Sequence, residues 1–280
     1  MALLGILLTT YWLGSQRFAP QLHTVGSPPT GLDARAVSIP SSSGSLLSGW
    51  LLPASGPAGI VLMHGRGGDR RSMLERAWFL QQAGYTALVF DFQANGESPG
   101  EHVTNGYLES LDARAAVRYL RSKLGSKPIG IVGYSLGGAA ALLGPDGPLA
   151  VDAMVLEAVY PTIEEATANR IRLRLGPWSG WLYPLFTWQF YLRLGIASED
   201  LRPIDRIGKV RCPLLVIAGG RDTRTTLEQS LRLFQAAPAP KRLWVVPGAD
   251  HEDFYGRAPG EYRRRVLTFF RETLGTQGAR

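Results

Sequence analysis

The run Ile129–Val132, followed by Gly133-Tyr134-Ser135-Leu136-Gly137-Gly138 and an alanine-rich stretch, constrains this chain more than any other feature. Four apolar residues read as a short buried strand, and the alanines as the start of a helix. Between them there is room for one sharp turn, in which glycines remove the side chains that would clash. A serine at the crest of that turn has its hydroxyl lifted above the sheet. Beneath it lie the unpaired N–H groups and positive dipole end of the helix. The pattern G-x-S-x-G in a strand–turn–helix setting carries a nucleophile. Ser135 is the candidate nucleophile, and the Leu136 N–H is a candidate donor to a developing oxyanion.

The rest of the chain repeats the same alternation. Strand-like runs are predicted at Val37–Ile39, Leu46–Leu52, Ile60–Met63, Thr86–Asp91, Val151–Leu156, Leu214–Ala218 and Leu243–Val246. Helical spacing appears over Ser72–Gln82, Tyr107–Leu124 and Thr162–Leu175. It returns on the faces Leu227/Leu231/Phe234 and Tyr262/Val266/Phe269/Thr273. Short apolar strands alternating with amphipathic helices predict a mostly parallel sheet covered on both faces. In such sheets ligands bind at the carboxyl ends of the strands.

A serine hydroxyl needs a base to take its proton. The four histidines are His23, His64, His102 and His251. His23 lies in a Pro/Gly/Ser-rich linker, His64 ends a strand and is placed to brace the following turn, and His102 sits in a surface loop. His251 follows the last strand and is the candidate base. It must be neutral to act, so activity is expected to fall on acidification. The base needs an acid to hold its tautomer. Asp222, just after Leu214–Ala218, is the leading candidate. Glu157, at another strand end, is the rival, and Asp250 is disfavoured because neighbouring side chains diverge in an extended loop. A second oxyanion donor is expected from His64-Gly65-Arg66-Gly67-Gly68, where the Arg66 N–H is the natural choice. The glycine spacing there does not fit a dinucleotide fingerprint.

Residues 1–15 carry no charged side chain and are dominated by Leu, Ile, Tyr and Trp. The stretch is a little short for a transmembrane helix, and a signal peptide would want basic residues before it. The readings are an interfacial or membrane anchor or a helix packed on the domain, so the expected location is cytoplasmic or membrane-associated. Residues 20–31 read as a linker, which gives an apolar segment and linker over 1–31 and one folded domain over 32–280. The net charge is +7, but no long run of like charge and no nucleic-acid motif appears, so nucleic acid is not an expected partner. Cys212 is the single cysteine, which excludes an internal disulfide and a cysteine zinc cluster.

The stretch 160–206 breaks the rhythm. It carries Arg170, Arg172 and Arg174, then seven aromatic rings between Trp178 and Tyr191. The rings either pack on the body or line an acyl pocket beneath a cap. Trp178, Trp181, Phe186 and Trp188 are the candidate pocket residues.

Together the His64-Gly65 strand end, the Asp91–Ser98 turn, the Gly133–Gly137 elbow, Asp222 and His251 resemble the α/β-hydrolase superfamily, in the family's order. Most similar is its bacterial serine esterase and serine-aminopeptidase-like branch. The resemblance covers about Val37 to Leu274. It implies an eight-stranded, mostly parallel sheet with helices on both faces and a small helical cap, 160–206, inserted after the sixth strand. One departure is Gln93-Ala94, where relatives usually carry Arg-Gly. The implied activity is hydrolysis of short- to medium-chain carboxylic esters, small-molecule substrates, through an acyl-enzyme without metal or cofactor. A serine at the elbow argues against dehalogenases and epoxide hydrolases of this fold, which use aspartate there. Amidase, peptidase, thioesterase or acyltransferase chemistry on the same residues remains open, as does a membrane-tethered binding protein without catalysis.

Overall fold

The computed structural model describes residues 10–12, 14–251 and 254–275. Eight strands form the central sheet: β1 (Arg35–Pro40), β2 (Leu46–Leu52), β3 (Gly59–Met63), β4 (Thr86–Phe90), β5 (Ile129–Tyr134), β6 (Ala153–Glu157), β7 (Leu214–Gly219) and β8 (Lys241–Val246). Their spatial order is β8-β7-β6-β5-β3-β4-β2-β1. Only β2 runs antiparallel to its neighbours, β1 and β4, among these strands.

The central strands are apolar because both faces are covered. In β3 all five residues are buried, and successive side chains alternate between two separate cores. Val61 and Met63 join one core with Ile131, Leu156 and Ala116, while Ile60 and Leu62 join the other with Val132, Val155 and Phe270. Helices α1 (Leu74–Gln82) and α7 (Pro259–Leu274) cover the second face. The first is covered by α2 (Tyr107–Leu124), α3 (Leu136–Leu142) and α6 (Leu227–Ala236). The parallel register brings the carboxyl ends of β3, β5, β6 and β7 to one edge, and the loops bearing His64–Gly68, Ser135, Glu157 and Asp222 open there.

Between β6 and β7 the chain makes a helical insertion: α4 (Ile163–Leu175), a tight turn at Pro177–Leu182 and α5 (Pro184–Leu194). Thr162 caps α4 by accepting from the Glu165 N–H, and Glu164 and Glu165 sit at its positive end. Residues 10–12 and 14–18 are also helical, and they dock on α5. Phe18 meets the Phe190 ring edge-on at 4.7 Å, Gln189 donates to the Thr10 carbonyl at 3.1 Å, and Arg193 stacks over Tyr11 at 3.8 Å. Much of the membrane expectation for residues 1–15 falls on 1–9 and 13, which lie outside the described residues. No helix among the described residues is long and apolar enough to cross a membrane.

Residues 21–26 of the stretch read as a linker are tied down. Gln21–Leu22 pairs in parallel with Asn95–Gly96, His23 bonds Asp69 at 2.8 Å, and the Val25 and Gly26 N–H groups both donate to Glu97 at 2.9 Å. The Pro/Gly/Ser content marks irregular backbone there, but its polar groups find partners on the Asp91–Ser98 turn. That turn forms despite its departure from the family pattern, with Ala94 held at φ 58°.

Candidate active site

At the end of β5 the chain reverses into α3 within one residue. Ser135 takes φ 49° and ψ −105°, a backbone conformation that L side chains rarely adopt and that costs of order 1–3 kcal/mol. The surroundings enforce it: the Ser135 N–H donates to the Glu157 carbonyl at 2.7 Å. A Cβ at Gly137 would lie 2.4 Å from the Met63 carbonyl oxygen, and one at Gly138 would lie 2.2 Å from Val159 Cγ2. Only glycine lets α3 start this close to β3 and to the loop after β6.

Ser135 Oγ lies 3.1 Å from His251 Nε2, and His251 Nδ1 lies 2.9 Å from Asp222 Oδ2. The other Asp222 oxygen accepts from the Arg224 N–H at 2.8 Å and the Thr225 N–H at 2.7 Å. One carboxylate oxygen is thus spent on fixing the loop and the second is aimed at the imidazole. Ser135 and Asp222 are 6% and 5% exposed, so these hydrogen bonds face little competition from water.

The rivals have other work. Glu157 is fully buried and accepts from Arg76 at 3.0 Å and from the Tyr262 hydroxyl. Asp250 accepts from the Thr223 N–H at 2.8 Å and from the His251 N–H at 2.7 Å, which ties the loops after β7 and β8 together. His64 is buried, with Nδ1 donating to the Gly65 carbonyl at 2.7 Å and Nε2 accepting the Phe92 N–H at 3.0 Å. Burial lowers its pKa and keeps it neutral. It braces the loop that carries Arg66. His102 is exposed.

Gly65 is close enough to the elbow that a Cβ there would sit 3.7 Å from Ser135 Cβ. Arg66 follows it. Neither the Arg66 N–H nor the Leu136 N–H is taken by another acceptor among the described residues. Beside them a cleft of about 250 Å³ is lined by Gly65, Arg66, Met73 and Tyr134, among others. The Tyr134 ring lies 5.6 Å from the His251 ring, a neighbour that the sequence pattern did not single out.

The tryptophans expected in a pocket wall are instead turned to solvent. Trp178, Trp181 and Trp188 are 70%, 68% and 46% exposed. On α5 Phe190, at 3% exposure, takes the inward side against Phe18, and Trp188, two residues earlier, faces out; Trp178 and Trp181 lie on the preceding turn at Pro177–Leu182. Phe186 lines a cleft beside Arg170 and Arg174, and Trp181 edges a separate, open one with Glu165 and Arg232. No group of residues among those described is arranged to hold a metal ion.

Comparison with known proteins agrees with this architecture. Residues 60–265 match the model of the alpha/beta hydrolase family. The uncharacterized protein MT2364 of Mycobacterium tuberculosis is 34% identical over 274 residues, covering 93% of this chain and 90% of its own. A lysophosphatidylserine lipase of Danio rerio, ABHD12, is 29% identical over 197 residues, 66% of this chain and 48% of its own length. Among solved structures, the esterase Pf2001 of Pyrococcus furiosus superposes with a TM-score of 0.72 at 25% identity, covering 92% of this chain and 98% of its own.

Proposed function

This chain belongs to the alpha/beta hydrolase family and is a hydrolase, and from that premise we propose that it is a serine carboxylesterase acting on short- to medium-chain esters. The observation that carries the reading is the hydrogen-bonded line from Asp222 through His251 to Ser135 on a strained elbow. Ser135 Oγ attacks the ester carbonyl carbon while His251 Nε2 takes its proton. Asp222 holds the Nδ1–H tautomer and stabilises the imidazolium that forms. The carbonyl oxygen becomes an oxyanion beside the Arg66 and Leu136 N–H groups, each such donor being worth roughly 3–4 kcal/mol in the transition state. His251 returns the proton to the departing alcohol, leaving an acyl-enzyme. Water, deprotonated by the same imidazole, releases the acid and restores Ser135.

Two relatives support ester chemistry. One structural neighbour is an esterase, and one sequence relative is a lysophosphatidylserine lipase. The test is hydrolysis of a p-nitrophenyl ester series from acetate to palmitate by wild type and Ser135→Ala. We expect turnover in the wild type, best at short to medium chains, with a loss of about 10⁴-fold or more in the variant. A folded wild type inert on every ester, or a variant as active as wild type, overturns the reading.

A further inference from the structure

Three arginine side chains line one small cleft near the catalytic loops, and a fourth is bonded to its wall. Arg17 from the N-terminal helical segment and Arg170 and Arg174 from α4 line it, over an apolar floor of Ile171, Leu175 and Phe186. Arg66, from the oxyanion loop, is bonded to its wall, donating through Nη2 to the Arg17 carbonyl. The cleft measures about 80 Å³. That is well below the 300–1,000 Å³ typical of a whole ligand pocket, and of a size for one substituent of a larger substrate.

The cleft is stitched to both halves of the catalytic site. On one side Arg66 follows Gly65, whose Cβ position lies 3.7 Å from Ser135 Cβ. On the other, Arg170 follows Asn169, whose amide donates to the Arg224 carbonyl at 3.1 Å. The Arg224 N–H in turn donates to Asp222. Arg170 also feels the Asp222 carboxylate, which puts the cleft beside the catalytic loops.

The cations lack anions. None of Arg17, Arg66, Arg170 and Arg174 has a carboxylate within ion-pair distance among the described residues. Arg66 Nε is buried with no acceptor. Glu109, the acid whose field Arg66 feels, spends its oxygens on Thr104 and on the N–H groups of Thr104 and Gly106. Burial, aggravated by Arg66 and Arg224, pushes Arg170 down to about 10. Arg17 is lowered too, first by burial and then by Arg170, Arg66 and Arg174. Like charges gathered in a half-buried place repel one another, and an unpaired buried cation is costly. Guanidinium forks match the oxygens of phosphate and carboxylate, which would relieve that repulsion.

We propose that this cleft is an anion subsite, and that the ester hydrolysed at Ser135 carries a phosphate or carboxylate group bound by Arg17, Arg170 and Arg174. The proposal rests on the assignment of Ser135 as nucleophile and adds the substrate's charge to it.

Two matched pairs of esters test it at low salt. The first is p-nitrophenyl octanoate against p-nitrophenyl hemisuberate, with a carboxylate on the acyl side. The second is monooctanoylglycerol against its phosphate monoester, with the charge on the alcohol side. In at least one pair we expect kcat/KM for the anionic member to exceed its neutral partner by about tenfold or more, through KM. The pair that shows it locates the charge. The preference is expected to shrink with added salt and in Arg170→Gln and Arg174→Gln. Arg174 is exposed, so its replacement is tolerable for folding. A general loss of folding lowers both members of a pair alike and leaves the ratio intact. No preference for either anionic ester, or a preference that survives both substitutions, overturns the subsite.

If no ester is turned over at all, the esterase reading fails separately. The subsite is then decided by the melting temperature with inorganic phosphate and with suberate. A rise in wild type that is lost in Arg170→Gln and Arg174→Gln sustains it; no rise overturns it.

Discussion

At Ser135 the backbone is held at φ 49° by contacts that leave no slack on either side of the elbow. A second residue under tension, Asp112, lies away from the site. It is fully buried on α2, accepting from Ser41 at 2.6 Å, Ser43 at 2.5 Å and the Gln93 N–H at 2.9 Å. Burial raises its pKa to about 6; those three hydrogen bonds favour the charged form, and Glu109 nearby disfavours it. In the unfolded chain an aspartate titrates near 3.9. Between these values the folded state binds more protons, so this group's contribution to stability falls as pH rises through the window. Asp112→Asn removes the contribution. The melting temperature of the variant minus that of wild type should be larger near pH 7 than near pH 4, shrinking as pH falls through about 6. A difference that stays constant across a melting series from about pH 4 to 8 would count against this account.

Among the elements, β6 carries the heaviest load. Its last residue, Glu157, supports the elbow with its carbonyl and joins α1 to α7 with its side chain, through Arg76 and Tyr262. The Arg76 guanidinium also lies over the Tyr262 ring at 5.1 Å. Both charges are buried, at 3% and 0% side-chain exposure. Removing one partner of such a pair leaves the other charge uncompensated, at a cost of ~3–5 kcal/mol, whereas replacing both by apolar residues is far milder. Arg76→Ala should therefore lose most of that amount in denaturant unfolding. The double variant Arg76→Met/Glu157→Leu should recover at least half of it. Equal losses in the two would refute the pairing argument. Helix α6 shows the limit of periodicity at this scale. The expected face Leu227/Leu231/Phe234 is half-buried, and the residues fully buried are Gln229, Ser230 and Leu233. The Gln229 amide is drawn in by the Thr226 capping box and by Asn169, a polar requirement that an apolar count does not register.

For the molecule as a whole, the helical insertion is fastened from outside the hydrolase body. Residues 10–12 and 14–18 clasp α5 through Phe18, Gln189 and Arg193, and the Phe18 carbonyl accepts from the Val103 N–H at 2.9 Å. Phe18 is 3% exposed, and Phe→Ala in a core costs about 3–5 kcal/mol. A terminal segment can detach without global unfolding, which caps the cost at the free energy of docking. Phe18→Ala should therefore speed proteolytic cleavage within residues 10–26 several-fold while moving the main melting transition little. Unchanged cleavage there would mean that Phe18 does not hold the clasp. The same clasp brings Arg17 to Arg170 and Arg174, so the segment that carries the most apolar sequence also supplies a charge to the candidate anion cleft.

The local patterns were enough to read the order of strands and helices, the elbow, and the strand-end candidates Ser135, Asp222 and His251. Strand runs, glycine spacing and helical periodicity are set by neighbours a few residues apart, so they survive in one dimension. What three-dimensional packing alone decided involves partners far apart in the chain, with no periodic trace. Glu157 was claimed by Arg76 and Tyr262 rather than left for His251. Residues 20–26 found acceptors and donors on the Asp91–Ser98 turn. Phe190 took the inner side of α5 against Phe18, which left Trp188 outward, while Trp178 and Trp181 faced solvent from the turn before it. The arginine cleft draws on the N-terminal segment, α4 and α5. A charge has no periodicity to betray which distant charges it will meet; only the folded sheet and its insertion brought these together.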